Sequence, residues 1–263
     1  MDLRIRDRVA LVTAASRGLG YAVAEQLVEE GVKVAICSRD KDRINEAKDK
    51  IAQNKAGEIS AYVVDVTDGP AVKNMINDII GKYGKIDILV CNAGGPPAGM
   101  YDDFSLEDYK KALDLNLMST VTLCYEIVPI MKKNNWGRII NITSISAKQP
   151  VDNLILSNTA RAGVLGFSKS LSNQVASHGI TVNSVCPGYT LTERVVGLAQ
   201  KFVSDGKGSE KEFYDKVESS IPAGRMGEPE EFAQTVAFLA SEGAAYINGV
   251  ALQIDGGLNK GII

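Results

Sequence analysis

The sequence predicts a doubly wound α/β (Rossmann) domain, a seven-stranded parallel sheet with helices on both faces. Three observations carry this. Short β-branched runs alternate with longer helical patterns along the whole chain. A small-residue loop, Thr13-Ala14-Ala15-Ser16-Arg17-Gly18-Leu19-Gly20, joins the first strand to the first helix. No linker rich in Pro, Gly or Ser and no internal repeat divides the 263 residues, a length that suits one large domain. Strands alternating with helices imply right-handed βαβ crossovers and a sheet covered on both faces.

The strand-like runs are 9–13, 32–37, 60–64, 86–91, 138–143, 180–186 and 250–254. Helical patterns lie between them near 18–30, 41–55, 69–82, 105–132, 153–177 and 229–240. Residues 193–220 form a charged helical insertion around Ser204-Asp205-Gly206-Lys207-Gly208-Ser209, within a single domain spanning 1–263. The ligand site of such a sheet lies beyond the C-terminal strand ends. The insertion is placed to be a lid there; an ordinary surface helical pair is the alternative.

Composition narrows the function. Twenty-nine Lys and Arg face 32 Asp and Glu, a net charge of −3. This unpatterned balance argues against nucleic acid or an anionic membrane as the main partner. No apolar run reaches a membrane-spanning length, about 18 residues. The start of the chain lacks a signal-peptide layout. Four scattered cysteines without a C-x-x-C pair suit a reduced, cytoplasmic setting. The lone histidine, His178, precedes Gly179 and reads as a helix C-terminus. One histidine argues against a His-built metal site or a serine hydrolase triad, and no metal is expected.

The loop after the first strand is where a dinucleotide pyrophosphate sits, because small residues let the backbone approach and the helix N-terminus supplies N–H donors. Here the chain resembles the short-chain dehydrogenase/reductase family, near its 3-oxoacyl-carrier-protein reductases. The family's Thr-Gly-x-x-x-Gly-x-Gly loop keeps Gly18 and Gly20, with Ala14 for the first glycine. That methyl group is expected to require a negative φ. Asp65-Val66, Cys91-Asn92-Ala93-Gly94, Asn116, Pro187-Gly188-Tyr189-Thr190-Leu191-Thr192 and the block from Pro222 to Gly257 follow in family order. The resemblance implies cofactor contacts from Thr13, Ser16, Arg17, Gly18, Leu19, Ser38, Arg39, Asp65, Val66, Asn92, Ala93, Gly94, Arg161, Pro187, Gly188, Thr190 and Thr192. The position of the NAD-type acid is Ser38, and Arg39 follows, with Arg17 a second cation. Guanidinium groups match a 2′-phosphate, so NADP(H) is favoured over NAD(H). Asp40 reads as the cap of the helix that begins at Lys41.

Family members use a Ser, a Tyr and a Lys four residues on. Ser144 takes the serine position. The Tyr-Lys pair is replaced by Ser157 and Arg161, and none of the nine tyrosines has Lys four residues later. Arg161 keeps the charge, one helical turn from Ser157. Ser157 is shorter by about 4 Å than a tyrosine and a much weaker acid. A water on Ser157, the side chains of Tyr189, Lys148 or Asp152, or solvent are the alternative proton sources.

The catalytic candidates are Ser144, Asn116, Ser157 and Arg161. They suit a reductase of small carbonyl compounds, 3-oxoacyl-like, with an atypical proton donor. A non-catalytic NADP-binding sensor or structural subunit is the alternative, and a lyase, hydratase or isomerase a third. The resemblance implies a homotetramer or homodimer through the helices at 105–132 and 153–177. Leu123, Ile127, Leu156, Val164 and Phe167 make these helices apolar, which core packing explains equally well.

Overall fold

The computed structural model describes residues 2–53 and 56–262. The elements run β1 (Val9–Thr13), α1 (Gly18–Glu29), β2 (Lys33–Ser38), α2 (Lys41–Ala52), β3 (Ile59–Val63) and α3 (Gly69–Tyr83). Then come β4 (Ile88–Cys91), α4 (Leu106–Leu113), α5 (Ser119–Asn134), β5 (Gly137–Ile142), α6 (Ile155–Val175) and β6 (Ile180–Pro187). The chain closes with α7 (Glu193–Ser204), α8 (Glu210–Ser220), α9 (Pro229–Leu239) and β7 (Ala251–Ile254). The seven strands are parallel, in the order β3-β2-β1-β4-β5-β6-β7. The order reverses between β1 and β4, which is where a ligand crevice opens in such sheets.

Alternation along the strands sorts the core into two layers. Val9 and Leu11 face the layer holding Leu89, Leu123, Ile127 and Met131. Ala10 and Val12 face the other, with Leu27, Ile36, Val90, Phe232 and Val236. Each large apolar side chain fully buried this way contributes about 1.5–3 kcal/mol. Leu123, Ile127, Leu156 and Val164 are all buried within this chain, so they are core residues. Phe167 packs half-buried at the edge of the same core. Leu106 in α4, Met118 in the turn after it and Tyr125 in α5 are large apolar residues left exposed.

The capping expectations hold. Asp40 accepts from the Arg43 N–H at 3.1 Å and starts α2, and Asp68 does the same for α3 through Ala71. Gly179, at φ +68°, closes the turn that contains His178. Residues 54 and 55, the end of the helix expected over 41–55, lie outside the described residues.

Two expected helices are interrupted. The stretch 105–132 breaks at a wide π turn, Asp114–Met118, between α4 and α5. The hydroxyls of Ser119 and Thr120 donate to the carbonyls of Leu115 and Asn116, satisfying the loosened ladder. The insertion 193–220 is two helices, α7 and α8, split at Gly206 and Gly208, which take φ +68° and +140°. They pack on a small separate cluster of Val195, Val217, Ile221 and Met226.

Candidate active site

A cleft of about 1460 Å³ opens beyond the C-terminal strand ends. The loop after β1 and the Asn92-Ala93-Gly94 turn after β4 form its floor. Gly18 takes φ +59°, a left-handed conformation open to glycine. Arg17, the N-cap of α1, makes no side-chain cap, and the first turn of α1 holds no acid. The leading N–H groups of α1 are therefore left for a ligand, whereas α2, α3 and α4 are capped by their own side chains.

Ala14 departs from expectation. Its φ is +48°, not negative. The surroundings hold it there: its carbonyl accepts from Asn92 Nδ2 at 3.2 Å, and the next N–H, of Ala15, donates to the Cys37 carbonyl. Tertiary bonds of this kind sustain a conformation that costs a non-glycine residue about 1–2 kcal/mol. Gly20 explains itself by space, since a Cβ there would meet Ala14 O and Asn92 Nδ2, each at 2.7 Å.

Most of the predicted residues come together. Ser16, Arg17, Gly18, Leu19, Ser38, Arg39, Asp65, Val66, Asn92, Ala93, Gly94, Pro187, Gly188, Thr190 and Thr192 line this one cleft, with Ser144, Ser157 and Arg161. Two predicted residues stand behind the wall. Thr13 is fully buried; its hydroxyl donates to the Asn92 carbonyl and accepts from the Asn92 N–H. Asn116 is buried, with Nδ2 donating to the Gly94 carbonyl at 3.0 Å and Oδ1 left without a partner. Both support the β4 turn rather than face the cleft. Lys148 is away from it too, donating to the Ala251 carbonyl, and Asp152 is exposed outside it. Tyr189 does line the cleft.

At the adenosine end, Ser38 rather than a carboxylate stands at the NAD-type position, and its Oγ donates to the Asp40 carbonyl. Arg39 and Arg43 line this end. Arg39 is largely exposed and 3.7 Å from Asp65, and Arg43 pairs with Asp40. Uncapped N–H groups, a glycine-lined floor and this cationic rim fit a phosphorylated dinucleotide.

At the other end, Ser144 Oγ accepts from the Ser146 N–H at 3.1 Å, leaving its own hydrogen free to donate. Ser157 is buried, and its hydroxyl is 3.0 Å from that of Ser146. Sequence reasoning missed Ser146; its one signal is the spacing Ser144-x-Ser146 in the loop after β5. Arg161 is buried, and its Nη1 donates to the carbonyls of Ile142 and Thr143. Burial first, then the charge of Arg194, lowers its pKa to about 10. It therefore remains a cation at neutral pH. Arg194 was also missed: it follows the Thr190-x-Thr192 segment and carried no signal of its own. Among the described residues no His, Cys, Asp or Glu cluster suits a metal ion, and no helix is long and apolar enough to cross a membrane.

Comparison with known proteins agrees with this geometry. The family model described as enoyl-(acyl carrier protein) reductase matches residues 13–259. The 3-oxoacyl-[acyl-carrier-protein] reductase FabG of Escherichia coli K12 is 35% identical over 256 residues, covering 97% of this chain and 99% of that one. The crystal structure of L-sorbose reductase from Gluconobacter frateurii, complexed with NADPH and L-sorbose, superposes with a TM-score of 0.95 at 32% identity, covering all of both chains. That of YwfH, an NADPH-dependent reductase involved in bacilysin biosynthesis, gives 0.89 at 32% identity, covering 97% of this chain and all of that one. The chain belongs to the short-chain dehydrogenase/reductase family.

Proposed function

We propose that the protein is an NADP(H)-dependent oxidoreductase acting on a carbonyl or its alcohol, with a serine-held water in place of the tyrosine acid. One observation carries this reading: Ser144, Ser157 and Arg161 line the same cleft as the uncapped α1 N-terminus and the Arg39 rim. When bound, NADPH supplies the hydride that reduces the substrate carbon. Ser144 donates a hydrogen bond to the oxygen as its negative charge develops. Ser157, with Ser146 behind it, orients a water that gives that oxygen its proton. The open cleft replaces the proton from solvent. Asn116 holds the Gly94 turn, and Arg161 holds the ends of β5 and α6 together while presenting charge to the nicotinamide half of the site. The FabG and sorbose reductase relatives support carbonyl reduction, and the NADPH complex supports the choice of cofactor.

Three further readings belong to this proposal. The α7–α8 pair serves as a lid: it packs on its own small cluster, lines the cleft from Glu193 to Lys201, and has glycines at its bend. The protein forms a homo-oligomer; exposed Leu106, Met118 and Tyr125 along α4 to α5, with Val250 and Leu252 near the β7 edge, support this. A cytoplasmic location fits the four free thiols.

The test is NADPH consumption over 3-oxoacyl thioesters, ketones and aldehydes, with S144A and S157A beside the parent. S144A is expected to lower turnover about 100-fold or more. Unchanged turnover in S144A removes the oxyanion role. A second reading, nucleotide binding without turnover, is favoured by the Ser157 hydroxyl being tied to Ser146. Tight NADPH binding with no consumption on any substrate would select it.

A further inference from the structure

Two guanidinium groups converge beside Gly95, and among the described residues no carboxylate answers them. A methyl group added at Gly95 would lie 3.5 Å from Nη2 of Arg194 and 4.0 Å from Nη2 of Arg161. After burial, Arg194 is the largest influence on the Arg161 charge and disfavours it; the Cys186 thiol favours it more weakly, and no carboxylate figures among the causes. The neighbouring acid, Glu193, is taken by Arg17 at 2.7 Å. Among the described residues neither Arg161 nor Arg194 has an ion-pair partner.

This arrangement is unfavourable as it stands. A buried cation is normally paired, and like charges in contact oppose one another. Arg161 spends Nη1 on backbone carbonyls and turns Nη2 toward the cleft wall at Gly95. Arg194 is exposed, so its guanidinium is free to meet a group in the cleft. Gly95 leaves the space between them empty of side chain. The Arg194 fork and the remaining Arg161 Nη2 around one open point suit an anion with two or more oxygens.

We infer that this pair binds the carboxylate of the substrate, which is thus an oxo acid rather than a neutral ketone or thioester. The inference rests on the reductase reading above and names its substrate class. Arg161 stands one helical turn from Ser157 on the same face. A carboxylate held there leaves a carbonyl one or two carbons away within reach of Ser144 and Ser157. Short 2-oxo and 3-oxo acids have that separation. The reduction keeps its balance: hydride adds to the carbonyl carbon, the released electron pair goes to oxygen, and the water on Ser157 protonates it. NADPH leaves as NADP+, and the carboxylate is unchanged.

The pyrophosphate of the cofactor is the other anion that could meet Arg194, and the experiment separates the two. Three quantities are measured for the parent and R194Q: kcat/KM for 2-oxobutanoate and acetoacetate, kcat/KM for their ethyl esters, and NADPH affinity. The parent is expected to prefer the acids, and R194Q to lose at least about tenfold of that acid-to-ester ratio. Esters used as well as acids by the parent overturn the inference and leave the reductase reading standing. An unchanged ratio with weakened NADPH binding in R194Q also overturns it, assigning Arg194 to the pyrophosphate. If nothing is reduced, the reductase reading falls, and malonate titrated into the NADP+-loaded protein decides the clamp. Binding that R194Q weakens about tenfold supports the clamp, and equal or absent binding refutes it.

Discussion

Arg17 Nη1 lies 2.7 Å from Glu193 Oε2, so the phosphate loop is joined to the first turn of α7. Both side chains are about half exposed, and such pairs contribute about 0–1 kcal/mol. Arg17 can leave Glu193 for a phosphate at little cost. E193Q is therefore expected to tighten NADPH binding by less than about fivefold at low salt, with the gain shrinking as salt rises. Fluorescence titration checks this. Weaker binding in E193Q would mean that the pair itself shapes the site.

Arg39 stands where the NAD-type acid would be followed, and its only ion partner among the described residues is Asp65 at 3.7 Å. R39A is expected to weaken NADPH binding about 10- to 100-fold, the range for a lost charged hydrogen bond. NADH binding should move by less than about twofold. The comparison of the two affinities is the measurement. A parallel fall in both would make Arg39 a general rather than a phosphate contact.

The loop offers a matched pair of backbone experiments. A14G relieves left-handed strain of about 1–2 kcal/mol and gives back about 0.4–1 kcal/mol in unfolded-chain freedom. Thermal unfolding should therefore shift upward by about 1–4 °C. G20A should do the reverse, because its methyl group collides with the Ala14 carbonyl and the Asn92 amide. Loss of NADPH binding in G20A, measured at a temperature where it is still folded, is expected.

Glu231 provides the acid-side test. Its carboxylate accepts from both Arg225 nitrogens at 2.6 and 2.7 Å and from the Glu228 N–H. The Arg225 bonds, then the Glu228 N–H, lower its pKa from 4.5 to about 2. A folded value below the unfolded one means that its stabilisation is complete above pH 4.5. It is lost as pH falls toward 2. The Tm difference between the parent and E231Q should be constant above about pH 5.5 and close on acidification. A difference that widens in acid contradicts the assignment.

The sheet was legible because parallel strands buried on both faces read as short β-branched runs, and each expected strand is present within a residue or two at most boundaries. The cleft was legible because its contacts are backbone features, spelled by small residues at fixed spacing. Ala14 departs from the expected negative φ because the sequence names a residue and not its backbone angle. That angle is set by Asn92, far along the chain. The family's pattern marks Thr13 as a cofactor contact and Asn116 as a catalytic candidate; only the fold shows that both bond to the turn after β4. The Arg161–Arg194 pairing was hidden for the same reason, being a meeting of residues on separate elements around a glycine that neither touches in sequence.

The four buried thiols have one more consequence. Cys37 lies in the sheet interior, and burial pushes its pKa up to about 12. Burial, then the neighbouring Cys124 thiol, raises Cys91 well above its ordinary value. Cys186 sits against the Thr143 hydroxyl beside the cleft, and burial raises it too. A thiol held neutral out of solvent reacts only when the protein opens around it. Cys37, Cys91 and Cys186 thus form a built-in clock. Cys37 and Cys91, in β2 and β4, time the opening of the whole domain, Cys186, at the cleft end of β6, times the breathing of the cleft wall, and a bound nucleotide should slow that one hand first.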